Sequence, residues 1–159
     1  MKNPWTAHLR GKKVLVIHPF TDTIEYQYHN KRETLFENPD ILPEYELMTL
    51  RAVQTIAGNV DPRFETWFDA LDYMEEEALK QDFDVAIIGC GAYGFPLAAR
   101  LKKAGKKAIH LGGATQLLFG IKGSRWESRE DYRSLMNDNW TKPLEKPANA
   151  DKIENGCYW

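Results

Sequence analysis

The residues with the clearest chemical potential are glycines. Gly89-Cys90-Gly91-Ala92-Tyr93-Gly94 fits the spacing G-x-G-x-x-G. It follows the apolar run Asp84 to Ile88 (DVAII) and precedes Pro96 to Ala104, which reads as a short helix with proline in its first turn and Gly105 as its stop. Between a strand and a helix, such a loop lets a ligand approach backbone N–H groups, and the helix start offers unpaired donors to a phosphate. In the dinucleotide fingerprint an acidic residue ends the next strand and binds ribose. Here that place holds His110, and the loop follows a later strand rather than the first. The residues alone leave two readings open: a ligand loop, or a turn that only joins strand to helix.

A second glycine turn, His110-Leu111-Gly112-Gly113-Ala114-Thr115-Gln116, follows Lys107 to Leu111 (KAIHL). Thr115 is expected to cap the next helix through its hydroxyl. Lys122 and Arg125 suit phosphate, and Trp126 suits stacking on a base or sugar ring. The same stretch also reads as a solvated basic turn around a packed tryptophan. His18, ending the first strand, is the candidate base, with a structural histidine as the alternative. Cys90 reads as a small buried residue, and Cys90 and Cys157 have neither disulfide-framework nor metal spacing. Asp82-Phe83-Asp84 has the D-x-D spacing of a metal–nucleotide motif, but it precedes its strand and so belongs to the opposite sheet edge. Glu75 to Glu77 reads as a solvated helix face. No metal-ligand set, nucleophile elbow or Ser-His-Asp order is recognisable.

The elements that must position these residues alternate. Lys13 to Ile17 (KVLVI) is a short β-branched run suited to a strand buried on both faces. Thr21 to Phe36 carries a weak helical pattern, with Thr21 or Asp22 as its cap. Glu46 to Val53 reads as a strand. Phe64 to Gln81 is an amphipathic helix with Phe64, Trp67, Phe68, Leu71, Met74, Ala78 and Leu79 assigned to one face. The order β–α–β–α–β–α–β predicts an α/β, Rossmann-like three-layer fold with a mainly parallel sheet. The ends of its strands then share one edge, where open α/β sheets bind ligands. Residues 1–126 are expected to form this domain, and residues 127–159 an irregular tail packed on it, since Pro143, Pro147 and Gly156 exclude a long final helix.

A chain of 159 residues suits one domain. The formal net charge of −2 gives nucleic-acid binding no global electrostatic support. No apolar run reaches the length of a transmembrane segment, and the N-terminus lacks an apolar signal core, so the expected location is cytoplasmic.

The stretch from Phe83 to Trp126, FDVAIIGCGAYGFPLAARLKKAGKKAIHLGGATQLLFGIKGSRW, resembles segments of uncharacterised proteins from bacterial polysaccharide gene clusters. Its layout is also similar to the C-terminal half of GT-D-type glycosyltransferases, whose strand, glycine turn, L-A-containing helix and next strand correspond to VAIIG, CGAYG, PLAARLKKAG and KAIHLGG. The earlier GKKVLVIHPF resembles the strand that opens that half. The resemblance implies a domain that binds a nucleotide-activated sugar in surface polysaccharide synthesis, with a glycan acceptor. Gly89, Gly91, Tyr93 and Gly94 would then allow close backbone approach. His110, Gly113 and Thr115 would line the pocket, Lys122 and Arg125 would offset phosphate charge, and His18 would be the base. The family's acidic, D-x-E-type motif lies in an N-terminal half, and this chain begins just before the first strand. The expectation is therefore a fragment, or a shortened relative that needs a partner domain or a homo-oligomer. A divalent metal would enter only with that missing half, and this chain alone is expected to transfer sugar poorly. Two alternatives stand beside this reading: a non-catalytic binding or regulatory module, and a fragment of a dinucleotide-dependent oxidoreductase.

Overall fold

Successive side chains of a strand point to opposite faces, and the central strand uses both. In β1 (Lys13–His18), Val14 and Val16 join Phe20, Ile24, Tyr28, Phe119, Ile121 and Trp140 in one core. Leu15 and Ile17 join Ala70, Leu71, Met74, Leu97 and Leu101 in the other. Two cores on the two faces of one sheet make three layers. The computed structural model describes residues 3–56, 58, 60–147 and 149–159.

The sheet has four strands, β1, β2 (Glu46–Arg51), β3 (Val85–Ile88) and β4 (Lys107–His110), in the order β2-β1-β3-β4. All three pairings are parallel, with Val14 opposite Leu47 on one side and Val85 on the other, and Val85 opposite Lys107. The fold is thus α/β and Rossmann-like. The interior positions β1 and β3 carry the buried aliphatic runs, while edge strands β2 and β4 are only half buried. Among the described residues no helix is long and apolar enough to cross a membrane.

The helices differ in detail from the sequence expectations. α1 (Thr21–Lys31) stops before Phe36, and a 3-10 turn at Arg32–Thr34 brings Leu35 into the core. α2 (Trp67–Leu79) begins with a capping box: the Thr66 hydroxyl accepts from Asp69 N–H at 3.2 Å, and the Asp69 carboxylate accepts from Thr66 N–H at 2.8 Å. Its buried stripe is Ala70, Leu71, Met74 and Ala78. Phe64 precedes the helix, and Phe68 and Leu79 fall off the stripe; Phe68 is 63% exposed. At about 100° per residue, Phe68 and Leu79 point roughly 100° or more away from the middle of that stripe. α3 (Gly94–Lys103) follows the glycine loop, and α4 (Ala114–Leu118) follows β4.

The tail contributes α5 (Ser124–Glu127), α6 (Glu130–Arg133) and then irregular chain that packs on the core of Val14 and Val16. Trp140 is buried and donates its indole N–H to the Leu35 carbonyl at 3.1 Å. Neither Thr21 nor Asp22 caps α1; both are already helical, and Phe20 occupies the cap position without a side-chain bond. The acceptor is Glu145 from the tail. Its carboxylate takes the N–H of Asp22 at 2.7 Å and of Thr23 at 3.2 Å, and the Thr23 hydroxyl as well. A carboxylate satisfies the otherwise unpaired donors there and complements the positive end of the helix.

Replacing Glu145 by Ala removes that acceptor and is expected to lower stability by about 0.5 to 2 kcal/mol, the range of lost helix caps. Urea denaturation checks this, and an unchanged midpoint would mean that water replaces the carboxylate without loss.

Candidate functional site

From β1 the chain moves outward to β2, and from β3 it moves outward the other way to β4. The reversal point lies beyond the ends of β1 and β3, where helices leave on opposite faces and a crevice opens. A cavity of about 260 Å³ occupies that place. His18 and Phe20 reach it from the end of β1, the turn 89–93 from β3, and Gly113 and Gln116 from the segment after β4. Thr55 and Trp67 close one side, and Ile153, Glu154, Tyr158 and Trp159 of the tail close another.

The three motif glycines do different work. Gly89 packs: a Cβ there would fall 2.5 Å from Thr115 Oγ1, 2.6 Å from the Gly112 carbonyl and 2.7 Å from the His18 ring. Gly91 bends: its φ is +58°, and the space beside it is open. Gly94 lets α3 start directly beneath the His110 ring, which a Cβ would strike.

His18 is 3% exposed, and burial pushes its pKa down to about 3, so its ring is neutral. Its Nδ1 accepts the Phe20 N–H at 3.1 Å. The proton therefore sits on Nε2, and the lone pair a base would need is already engaged. The arrangement corrects His18 from candidate base to hydrogen-bond donor. Burial also drives the Cys90 thiol up to about 12, which removes it as a nucleophile.

Gln116 is fully buried, and its amide nitrogen is surrounded by the carbonyls of Ile121, Lys122 and Tyr158 at 3.3 to 3.4 Å. Its Oε1 has no protein partner. Tyr93 stacks on Trp67 with centroids 4.8 Å apart and planes 6° from parallel, and its hydroxyl meets that of Thr55 at 2.5 Å.

Of the residues singled out in the sequence, the structure gathers His18, Gly89, Gly91, Tyr93 and Gly113 around the cavity. Gly94, His110, Thr115, Lys122 and Arg125 lie outside its lining. His110 is exposed beside Phe95. Thr115 is the second residue of α4, with Gly113 at the cap, so its hydroxyl caps nothing and stays buried without a partner. Arg125 pairs with Glu154 and donates to the Tyr158 hydroxyl at 3.0 Å, bracing two lining residues from outside. Trp126 is buried against Tyr132 and is closed to a ligand. The Asp82 carboxylate pairs with Lys13 at the opposite edge. Among the described residues no three His, Cys, Asp or Glu side chains gather as metal ligands.

Cations do stand beside the cavity, though not the expected ones. A groove of about 570 Å³ shares Pro19, Val53 and Gln54 with it and carries Arg51, Arg63 and Lys146. Arg51 ends β2 on the ligand edge, a placement that the strand reading made available. Arg63 lies over the rings of Phe64 and Tyr73 and pairs with Asp61 at 2.7 Å. No sequence period marks Arg63 or the tail residues Ile153 to Trp159, because they sit in irregular chain.

Fold and site define a parallel α/β domain with a small cavity at its switch point. No protein-family model matches the chain, and no curated protein or solved structure does.

Two outcomes follow from this packing. Gly89→Ala is expected to destabilise the fold by roughly 1 to 3 kcal/mol, as overpacking does, because one of the three groups it meets is backbone; thermal melting measures it. His18 binds its proton in the unfolded chain near pH 6.5 but in the folded one only near pH 3. Stability is therefore complete above the unfolded value and falls as pH drops, by at most about 1.4 kcal/mol per pH unit from this group. Urea midpoints between pH 6.5 and 5 should show that slope, and His18→Asn should flatten it.

Proposed function

We propose that this domain binds a nucleotide-activated sugar. The observation that carries the reading is the pairing of two spaces at one sheet edge. The cavity is lined mainly by aromatic and neutral polar groups, with one carboxylate, Glu154, and, among the described residues, by no Lys or Arg. The groove beside it presents Arg51, Arg63 and Lys146, paired with Asp22, Asp61 and Asp151 respectively, together with the Glu145 carboxylate. A nucleotide sugar has matching halves: uncharged rings, and a diphosphate that guanidinium groups complement. The resemblance of Phe83 to Trp126 to polysaccharide-cluster proteins adds glycan synthesis as the setting.

A dinucleotide fits less well. The first helix of the sheet, α1, has N–H groups already bonded to Glu145, and α3 starts beneath His110. The binding reading also needs no base, in keeping with the engaged Nδ1 of His18.

Calorimetric titration of the chain with UDP-glucose, GDP-mannose and NADH tests the proposal. At least one sugar nucleotide is expected to bind with sub-millimolar affinity, weakened about tenfold by Arg51→Ala or Arg63→Ala, as for loss of one charge-assisted hydrogen bond. Binding of NADH alone would replace the reading with the oxidoreductase one. No binding by any of the three would remove it.

A further inference from the structure

We infer that the cavity is the seat of the nucleobase, with Gln116 Oε1 accepting an N–H from the base edge and His18 Nε2–H donating to a neighbouring ring acceptor. The inference rests on the nucleotide-sugar reading and adds which end of the ligand goes where.

The first support is an orphaned acceptor. Gln116 is fully buried, three carbonyls hold its amide nitrogen, and the residue belongs to the cavity lining. That oxygen has no protein partner. A buried carbonyl without a donor is unfavourable, and a ligand that brings an N–H would satisfy it.

The second support is a donor of fixed tautomer. The Phe20 N–H on His18 Nδ1 leaves Nε2 protonated, in a ring that also lines the cavity. A donor residue and an acceptor residue in one cavity lining match the alternating edge that every nucleobase presents.

The third support is what the cavity excludes. At about 260 Å³ it falls below the roughly 300 to 1,000 Å³ of sites that hold a whole drug-sized ligand. It admits one ring system. A phosphate there would meet the Glu154 carboxylate and, among the described residues, no cation. A pyranose would bring several hydroxyls to walls made largely of Trp67, Tyr93, Tyr158 and Trp159 and leave most of them unpaired. A nucleobase has flat apolar faces for those walls and a polar edge for Gln116 and His18. The phosphates then extend into the arginine groove.

The test is calorimetric titration of the full chain with uridine, cytidine, adenosine and guanosine, and with ribose 5-phosphate. The nucleoside that binds is then compared with its counterpart in which the edge N–H groups are methylated. One nucleoside is expected to bind, its methylated form to bind at least about tenfold more weakly, and Gln116→Met to weaken the parent nucleoside alone. The methylation arm uses the unaltered chain, so it decides the matter even if the variant fails to fold. Equal affinity for the methylated form would overturn the inference, as would binding of ribose 5-phosphate but of no nucleoside. If UDP-glucose or GDP-mannose binds and no nucleoside does, the base placement falls while the functional reading survives. If a nucleoside behaves as expected and no sugar nucleotide binds, the cavity assignment stands and the functional reading falls.

Discussion

The structure depends on one close approach, the convergence of three strand ends on Gly89. The Gly89 N–H donates to the Ile17 carbonyl at 2.9 Å, tying the end of β3 to that of β1. The Ile88 carbonyl accepts from Leu111 and Gly112 at 3.0 and 3.1 Å, tying in the end of β4. Thr115, the Gly112 carbonyl and His18 then crowd the α-carbon of Gly89 so closely that only hydrogen fits. The tight floor holds His18 in its buried, neutral form and sets the start of α4, which in turn places Gln116. A first motif glycine that looks like a phosphate contact in the sequence is here a packing device, and the ligand surface is made by its neighbours.

The tail completes what the sheet begins. Glu145 takes the donors at the start of α1, and the Trp159 indole donates to the Glu145 carbonyl at 2.7 Å. Backbone bonds from Ser124 and Arg125 to the carbonyls of Trp159 and Cys157 hold the last residues against the segment after α4. Tyr158, Trp159 and Ile153 thereby become cavity wall. The basic side chains divide as a result: among the described residues no Lys or Arg lines the cavity, while Arg51, Arg63 and Lys146 line the adjoining groove beside Asp61 and Glu145.

The central strands were legible because parallel strands buried on both faces are short β-branched runs, and KVLVI and DVAII are such runs. Alternation with helices then implied the sheet and its ligand edge, where His18, Gly89, Gly91, Tyr93 and Gly113 meet. Side-chain direction was not legible. His110 and Gly113 are three residues apart, yet only Gly113 lines the cavity, because the His110 ring turns onto Gly94. Thr115 looked like a cap because a cap is a local feature, but α4 starts one residue before it. Gln116, within the quoted turn, could have been noticed only by knowing which carbonyls surround it. Trp67 was readable as helix face but not as cavity wall, since its partner Tyr93 comes from another element. Arg63 and the tail residues lie in chain without a period, so nothing local announces them.

The central claim is that the ligand enters at the switch point between β1 and β3. Amide chemical shifts of the ¹⁵N-labelled chain during titration with UDP-glucose test it most directly. The account predicts saturable shifts at Gly89, Gly91 and Gln116, with the opposite edge at Asp82 and Asp84 unmoved. Saturable shifts confined to that opposite edge, with Gly89, Gly91 and Gln116 unmoved, would contradict it.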